Sequence, residues 1–392
     1  MKHLPKTLFL LAFVLRFAAG GWRSAPLAPG GDSEAYLHMA ESFLNGAAPM
    51  LTHPPVYPLF LLFFHVLPGG NFWVTLLAQC LIGAACVPLI GRIGERLNLG
   101  AARGWIMAWV AVDPFLIYFS GVYLSETLFT FFLLAGLMLF LSAEGQGKKN
   151  VASGMVLSLA TLCRSILLPF LPLFVLWKIL LMRAQGKNAL RSAGYLCLGI
   201  LIPHLLWSLT LHHQSGRWVA ASVQKGWNAY EGLNPNFEDP EATRRWQNQM
   251  GKESTENHLS DPAARDAYFW KKTQTFWRTH PLESAQLMIR KTLKFWRVVP
   301  YDPYSKNQKI ISAVFMVPLL LFALVGMVWI FRSPPVPPEW IGMVAFILFY
   351  SLLNVITWTQ IRYRIPIHPL LALLAGAGVH RTIQHLTQKG RS

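Results

Sequence analysis

The chain has 392 residues, 53% of them hydrophobic and only 14% charged, with a formal net charge of +17. A soluble domain carries roughly 25% charged residues, so this deficit excludes an ordinary water-soluble enzyme and points to the bilayer. The positive excess does not indicate a nucleic-acid partner, because much of it sits in short loops between apolar runs, as the positive-inside bias expects.

A membrane-spanning helix needs about 20 mostly apolar residues. Ten stretches qualify as candidates, near 4–22, 71–91, 104–121, 124–143, 151–163, 165–182, 193–211, 309–331, 340–357 and 366–380. The fifth is short and interrupted by polar residues. Lys2 and Lys6 precede the first and place the N-terminus in the cytoplasm. Alternating spans then put Arg92, Arg96 and Arg103 on that side, followed by Lys148 and Lys149 and by Arg183, Lys187 and Arg191. Arg332 and the tail residues Arg381, Lys389 and Arg391 join them, so both termini are expected to be cytoplasmic. Residues 1–20 also suit a cleaved signal peptide, since Ala18-Ala19-Gly20 mimics a cleavage site; an uncleaved anchor is the reading adopted. Cys80, Cys86, Cys163 and Cys197 lie inside apolar segments, with neither zinc spacing nor a disulfide framework. No Walker loop and no dinucleotide-binding glycine motif occurs.

Two long segments fall on the other side. Residues 23–70 contain an amphipathic stretch at 33–46 and the proline-rich THPPVYPLF at 52–60. Residues 212–308 are long enough for a small water-facing domain, rich in Trp and basic residues, as in AYFWKKTQTFW and MIRKTLKFW. Those spacings suit amphipathic helices lying on a membrane surface. The expected organisation is a membrane module over 1–211 with about seven spans, an outer domain over 212–308, and a module over 309–392 with about three spans. RSPPVPPEW at 332–340 reads as a proline-stiffened cytoplasmic linker.

Asp32, in GGDSEAYLHMAESFLNG, stands where the first span gives way to the amphipathic stretch. An ionisable group at a membrane boundary is costly and is often there for chemistry; Asp32 also suits a helix N-cap. Glu126, in VYLSETLFTFF, is expected on the same side, either beside a Ser125-capped helix start or as a second carboxylate. Two such groups can divide labour, one as general base and one orienting it. Arg362 and Arg364, in TQIRYRIPIHPL, and Arg164, in LATLCRS, run against the positive-inside trend. They either snorkel to headgroups or grip a phosphate, which guanidinium geometry suits. His53 in THPP is a further candidate, and Tyr57 and Tyr363 flank these positions as ligand contacts or interfacial packing. Asp113, in VAVDPFLIY, falls near mid-span beside Pro114 and receives no role.

The ordered series GDSEAYLHMAESFLNG, HPPVYPLFL, GVYLSETLF, ATLCRS and RYRIPIHPLLALLAG resembles the C-type polytopic glycosyltransferases. The resemblance is to glycosyltransferase family 39, with its protein O-mannosyltransferases, and to the lipid A aminoarabinose transferase. It covers both ends of the chain and is looser over 212–308, where GWNAYEGLNP and THPLESAQLMIRK carry it. It implies an all-α integral membrane bundle, a polyprenyl-phosphate-linked sugar donor and a periplasmic glycan, lipid or protein acceptor. It assigns Asp32 as catalytic base, Glu126 as the second acid, and His53, Arg164 and Arg362 as grips on the lipid phosphate. His53 departs from the Lys or Arg that relatives often place there. The setting implied is a bacterial inner membrane, and transfer by single displacement would invert the anomeric centre. No cofactor is implied with certainty, and no His/Asp cluster supports a divalent metal. A transporter or lipid-sugar flippase is the alternative, since many spans with an intramembrane acid also suit a carrier; a non-catalytic assembly scaffold is the third reading.

Overall fold

The computed structural model describes residues 3–22, 31–47, 50–300, 305–332 and 334–389. Lys2, Arg391 and residues 23–30 of the first long segment lie outside the described residues, as do the side chains of Arg381 and Lys389. The protein is an all-helical integral membrane protein. Along the chain run α1 (Leu4–Gly21), α2 (Asp32–Leu44), α3 (Val56–Leu61), α4 (Phe72–Arg96), α5 (Arg103–Val112), α6 (Pro114–Phe119), α7 (Glu126–Ser142), α8 (Gly147–Cys163), α9 (Leu171–Ala184) and α10 (Ala189–Ser215). They are followed by α11 (Lys225–Glu231), α12 (Pro240–Glu256), α13 (Pro262–Thr279), α14 (Pro281–Trp296), α15 (Lys306–Phe331), α16 (Pro338–Ile356) and α17 (His368–Lys389). Short 3₁₀ segments at Ser165–Phe170 and Ile361–Ile367 lead into α9 and α17.

Six helical stretches among the described residues are long and apolar enough to cross a membrane: α1, α4, Ser165–Ala184, α10, α15 and α16. The remaining expected spans appear as the 17-residue helices α7 and α8, the helix α17, and a pair, α5 and α6, broken at Asp113-Pro114. Apolar side chains face outward on α10 and α15, where Leu201, Leu206, Val314 and Leu321 are each more than half exposed. A surface like that is stable in hydrocarbon, where the helical backbone satisfies its own polar groups.

The break at Asp113-Pro114 explains two buried charges. Proline has no N–H and cannot continue the ladder of α5. The Asp113 carboxylate caps α6, accepting from Phe115 N at 2.8 Å and Leu116 N at 3.2 Å. The carbonyls freed at the end of α5 are taken by Arg16 of α1, whose guanidinium donates to Ala111 O at 3.0 Å and Val110 O at 3.1 Å. The second Asp113 oxygen accepts from His368 Nδ1 at 2.9 Å. Asp113 is therefore a structural cap that ties α5 and α6 to α1 and α17.

In a bilayer, helices approach closely where small residues meet. Between α8 and α10, a methyl group added at Gly199 would stand 2.1 Å from Val151 O, and one at Gly154 2.3 Å from Leu196 O. Gly199→Val is expected to force these helices apart and lower stability by about 1–3 kcal/mol, read as a lower unfolding midpoint of the purified protein.

Helices α11 to α14 form a layer that packs on the bundle through α14, whose Phe295 is buried in the main core. Two of them start with an Asp cap followed by Pro at the first helical position, Asp239-Pro240 and Asp261-Pro262, a pairing that pre-sets the first turn. The aromatic residues of α13 do not all point away from the protein. Phe269 is fully buried between Trp227 and Tyr230 of α11, and Trp270 receives the Lys225 ammonium 3.6 Å above its ring. Exposed apolar residues lie instead on α14, at Leu282, Ile289 and Leu293.

Candidate active site

Five chain segments far apart in sequence meet at one end of the bundle. Asp32 is the first residue of α2, one position inside a helix whose cap is Gly31 in the left-handed conformation. The helix start is thus capped without an Asp32 side-chain bond, and the carboxylate points elsewhere: Arg362 Nη2 donates to its Oδ2. Glu126 is likewise the first residue of its helix, α7, with Ser125 before it. The Ser125 side chain does not cap that helix. Its hydroxyl meets the Tyr36 hydroxyl at 3.4 Å and accepts from Arg164 Nη1 at 3.4 Å.

Glu126 is 1% exposed and its Oε1 lies 2.7 Å from Arg164 Nη1 and 3.9 Å from Arg362 Nε. Arg164 reaches it from the extended residue that ends α8, and Arg362 from the 3₁₀ segment before α17. Tyr363 lies against both cations, with the Arg164 guanidinium carbon 4.9 Å and that of Arg362 5.3 Å from its ring centre. Stacking on an aromatic face suits a guanidinium and fixes its plane. The site thus holds two guanidinium groups against two carboxylates and is close to neutral as it stands. Asp32 is 40% exposed and reachable from water, whereas Glu126 is sealed in.

The other expected residues divide. His53 stacks edge-on against Tyr36 at 5.3 Å and its Nδ1 bonds the Thr52 hydroxyl at 3.0 Å. Burial pushes its pKa down while Asp32 pulls it up, the net direction being down. A neutral imidazole is a weak partner for a phosphate, so His53 lines the site without adding a fixed cation. Tyr57 is fully buried and its hydroxyl donates to Gln79 Oε1 at 3.0 Å, turned into the core.

Arg364 is also placed away from the cluster. Successive residues of a tight 3₁₀ segment face different sides, and Arg364 points inward. It donates to Phe295 O at 2.9 Å, to Arg297 O at 3.1 Å and to His368 Nε2 at 3.3 Å. Because arginine only donates, His368 accepts at Nε2 and gives its Nδ1 proton to Asp113. Arg364 therefore anchors the segment that presents Arg362 and Tyr363.

Sequence reasoning missed Tyr36 and the contribution of the α11–α14 layer. Tyr36 sits one turn after Asp32 on the same face of α2, a spacing that the amphipathic pattern contained. The layer meets the site through Leu233, Phe237, Leu287 and Trp358, with Tyr230 and Tyr363 packed against them. Lys291 Nζ pins it down, donating to Gly232 O at 3.2 Å and to Thr357 O at 2.7 Å, just before the segment bearing Arg362. Among the described residues no group of three or more His, Cys, Asp or Glu is assembled for a metal. The two acids of the site are each paired with an arginine, Glu126 with Arg164 and Asp32 with Arg362.

The helical bundle has counterparts among known structures. No protein-family model matches the chain, and comparison with curated proteins finds no match. The oligosaccharyltransferase of Archaeoglobus fulgidus in complex with zinc and sulfate superposes with a TM-score of 0.60 at 12% identity, over 98% of this chain and 49% of its own. Archaeal AglB from the same organism, bound to an inhibitory peptide and a dolichol-phosphate, gives 0.60 at 10% identity, over 100% of this chain and 51% of its own. ArnT from Cupriavidus metallidurans bound to undecaprenyl phosphate gives 0.40 at 16% identity, a likeness too slight to argue from. This chain spans about half the length of the oligosaccharyltransferases it matches. At these identities the likeness establishes the fold alone.

Proposed function

We propose that the protein is a membrane glycosyltransferase that moves a sugar from a polyprenyl-phosphate carrier to a hydroxyl acceptor, a glycan, lipid or protein. The observation that carries this reading is the pair of arginines, Arg164 and Arg362, held on Tyr363 beside an exposed and a buried carboxylate. Such a pair stabilises a phosphate leaving group, and a reachable carboxylate beside it can take a proton. Topology supports a site on the non-cytoplasmic face. Glu126 opens α7, and about 25 Å further along that helix its far end leads to Glu144, which pairs with Arg96 at 2.6 Å and Lys187 at 3.7 Å. Those basic loops are the ones the positive-inside bias assigns to the cytoplasm, in keeping with a bacterial inner membrane and a periplasmic site.

In the proposed reaction the donor's phosphate competes with Asp32 for Arg362. Once Arg362 turns to the phosphate, the Asp32 carboxylate is freed from its ion pair and can accept a hydrogen bond from the acceptor hydroxyl. The acceptor O–H gives its proton to the Asp32 carboxylate, and its oxygen attacks the anomeric carbon from the face opposite the phosphate. The carbon–oxygen bond to phosphate breaks, the electron pair goes to that oxygen, and Arg164 and Arg362 meet the added charge. The outcome is inversion. Glu126, sealed beneath, keeps both arginines in place. The carrier reading leaned on an intramembrane acid, and Asp113 is already used as a cap and by His368.

The test compares wild type with Asp32→Asn in nanodiscs, offering a panel of undecaprenyl-phosphate sugars and following lipid binding and transfer separately. Asn is expected to keep lipid binding and to lower transfer by about 10²–10⁴-fold, the usual contribution of a general base. Equal transfer by Asn and wild type would remove Asp32 from the chemistry.

A further inference from the structure

A third carboxyl group approaches the site from the α11–α14 layer. Glu231 ends α11, is 5% exposed, and accepts one hydrogen bond among the described residues, from Gln247 Nε2 of α12 at 2.6 Å. The backbone beside it is fixed against the segment that carries Arg362. A methyl group added at Gly232 would stand 2.2 Å from Thr357 O, and Lys291 ties the same two carbonyls together. Asp32 and Arg362 both act on the Glu231 charge. A buried carboxylate with one bonded oxygen is an expensive arrangement if it serves the fold alone, since a Gln or Leu there would pack without the cost.

We propose that Glu231 is the contact through which the α11–α14 layer binds a hydroxyl of the sugar-bearing substrate. This rests on the glycosyl-transfer reading given above. The ligand chemistry is a sugar-type hydroxyl, supplied either by the donor sugar or by the acceptor. Burial, and to a lesser extent the Asp32 charge, raise the Glu231 pKa while Gln247 and Arg362 pull it down, leaving it at about 7. Charged groups on the other neighbouring helices are directed elsewhere. On α13, Asp266 accepts from Gly226 N and Trp227 N, and Lys272 lies over the Tyr230 ring; on α14, Lys291 serves the carbonyls already named. Above pH 7 the ionised Glu231 accepts a charge-assisted hydrogen bond from the hydroxyl, and below it the weaker neutral bond remains.

Glu231→Gln keeps an oxygen for Gln247 and holds the side chain permanently in the form that resembles the protonated acid. In a transfer assay with the full chain in nanodiscs, the wild-type KM for the substrate it touches is expected to fall on the order of tenfold between pH 5.5 and 8.5. In Glu231→Gln that KM stays near the low-pH wild-type value throughout, and the unfolding midpoint shows that the variant is folded. A change in the donor KM places the hydroxyl on the donor sugar; a change in the acceptor KM places it on the acceptor. Identical KM and pH profiles for Glu231→Gln and wild type would make Glu231 structural and overturn the proposal while leaving glycosyl transfer intact. Absence of transfer by the wild type with every donor and acceptor would overturn the transferase reading, and this assignment with it.

Discussion

Arg362→Gln is expected to lower transfer on the order of 10²–10³-fold, the scale of losing one preorganised donor at a developing oxyanion. The expectation follows from how many contacts the side chain makes. Its Nη2 holds Asp32, its Nε lies 3.9 Å from Glu126 with no hydrogen bond of its own, and its plane rests on Tyr363. In the ligand-free protein it serves the two carboxylates; in the reaction proposed here it transfers to the phosphate and releases Asp32. The Gln variant loses both steps, so kcat and kcat/KM fall together, the pattern of an interaction strongest in the transition state. Arg362→Lys restores the charge without the planar fork or the stacking. It is expected to recover lipid-phosphate binding more than kcat. Unchanged kcat in Arg362→Gln at saturating donor would sink the proposed role, and a change confined to KM would reduce Arg362 to a ground-state contact.

The fold was largely legible because bilayer physics writes it into composition. Every stretch expected to cross the membrane is helical, and the amphipathic stretch after the first span is the helix α2. The break inside 104–121 was signalled by Asp113-Pro114, but its resolution was not, since the partners Arg16 and His368 come from the first and last helices. Local sequence cannot announce a contact across so many residues. The same limit applied within the site. Asp32, Glu126, Arg164, Arg362 and Tyr363 do converge, which a residue-by-residue reading anticipated from their position at the ends of spans. The residues alone did not distinguish Arg362 from Arg364, although the resemblance singled out Arg362, because only the 3₁₀ geometry of Ile361–Ile367 sends one to the site and the other to the carbonyls of Phe295 and Arg297. Glu231 went unremarked for the opposite reason. In a segment full of charges, an acid is unremarkable until its burial is known.

The second large effect concerns Glu126 and is on stability. Both Glu126 oxygens are buried and lack hydrogen bonds, so the carboxylate is held by charge alone, chiefly by Arg164 at 2.7 Å. Removing one partner of a buried pair leaves the other uncompensated, at a cost of about 3–5 kcal/mol. Glu126→Gln is therefore expected to unfold at a markedly lower temperature. Arg164→Gln added to it should recover part of the loss, because the stranded cation goes with it. Ligand response separates this from general damage. In wild type two guanidinium groups face two carboxylates; in Glu126→Gln they face one, leaving a single positive charge unanswered. A polyprenyl phosphate entering the variant supplies the missing counter-charge, so its stabilisation of the folded protein should exceed that of wild type. Unfolding midpoints with and without undecaprenyl phosphate measure both quantities. A destabilised variant that responds to the lipid no more than wild type would show that Glu126 supports the helices without governing the arginines. A larger response would identify the buried acid as the group whose place a phosphate is built to share, and would explain why an ion pair is kept at the start of α7 where replacing both of its partners by neutral side chains would cost the fold less.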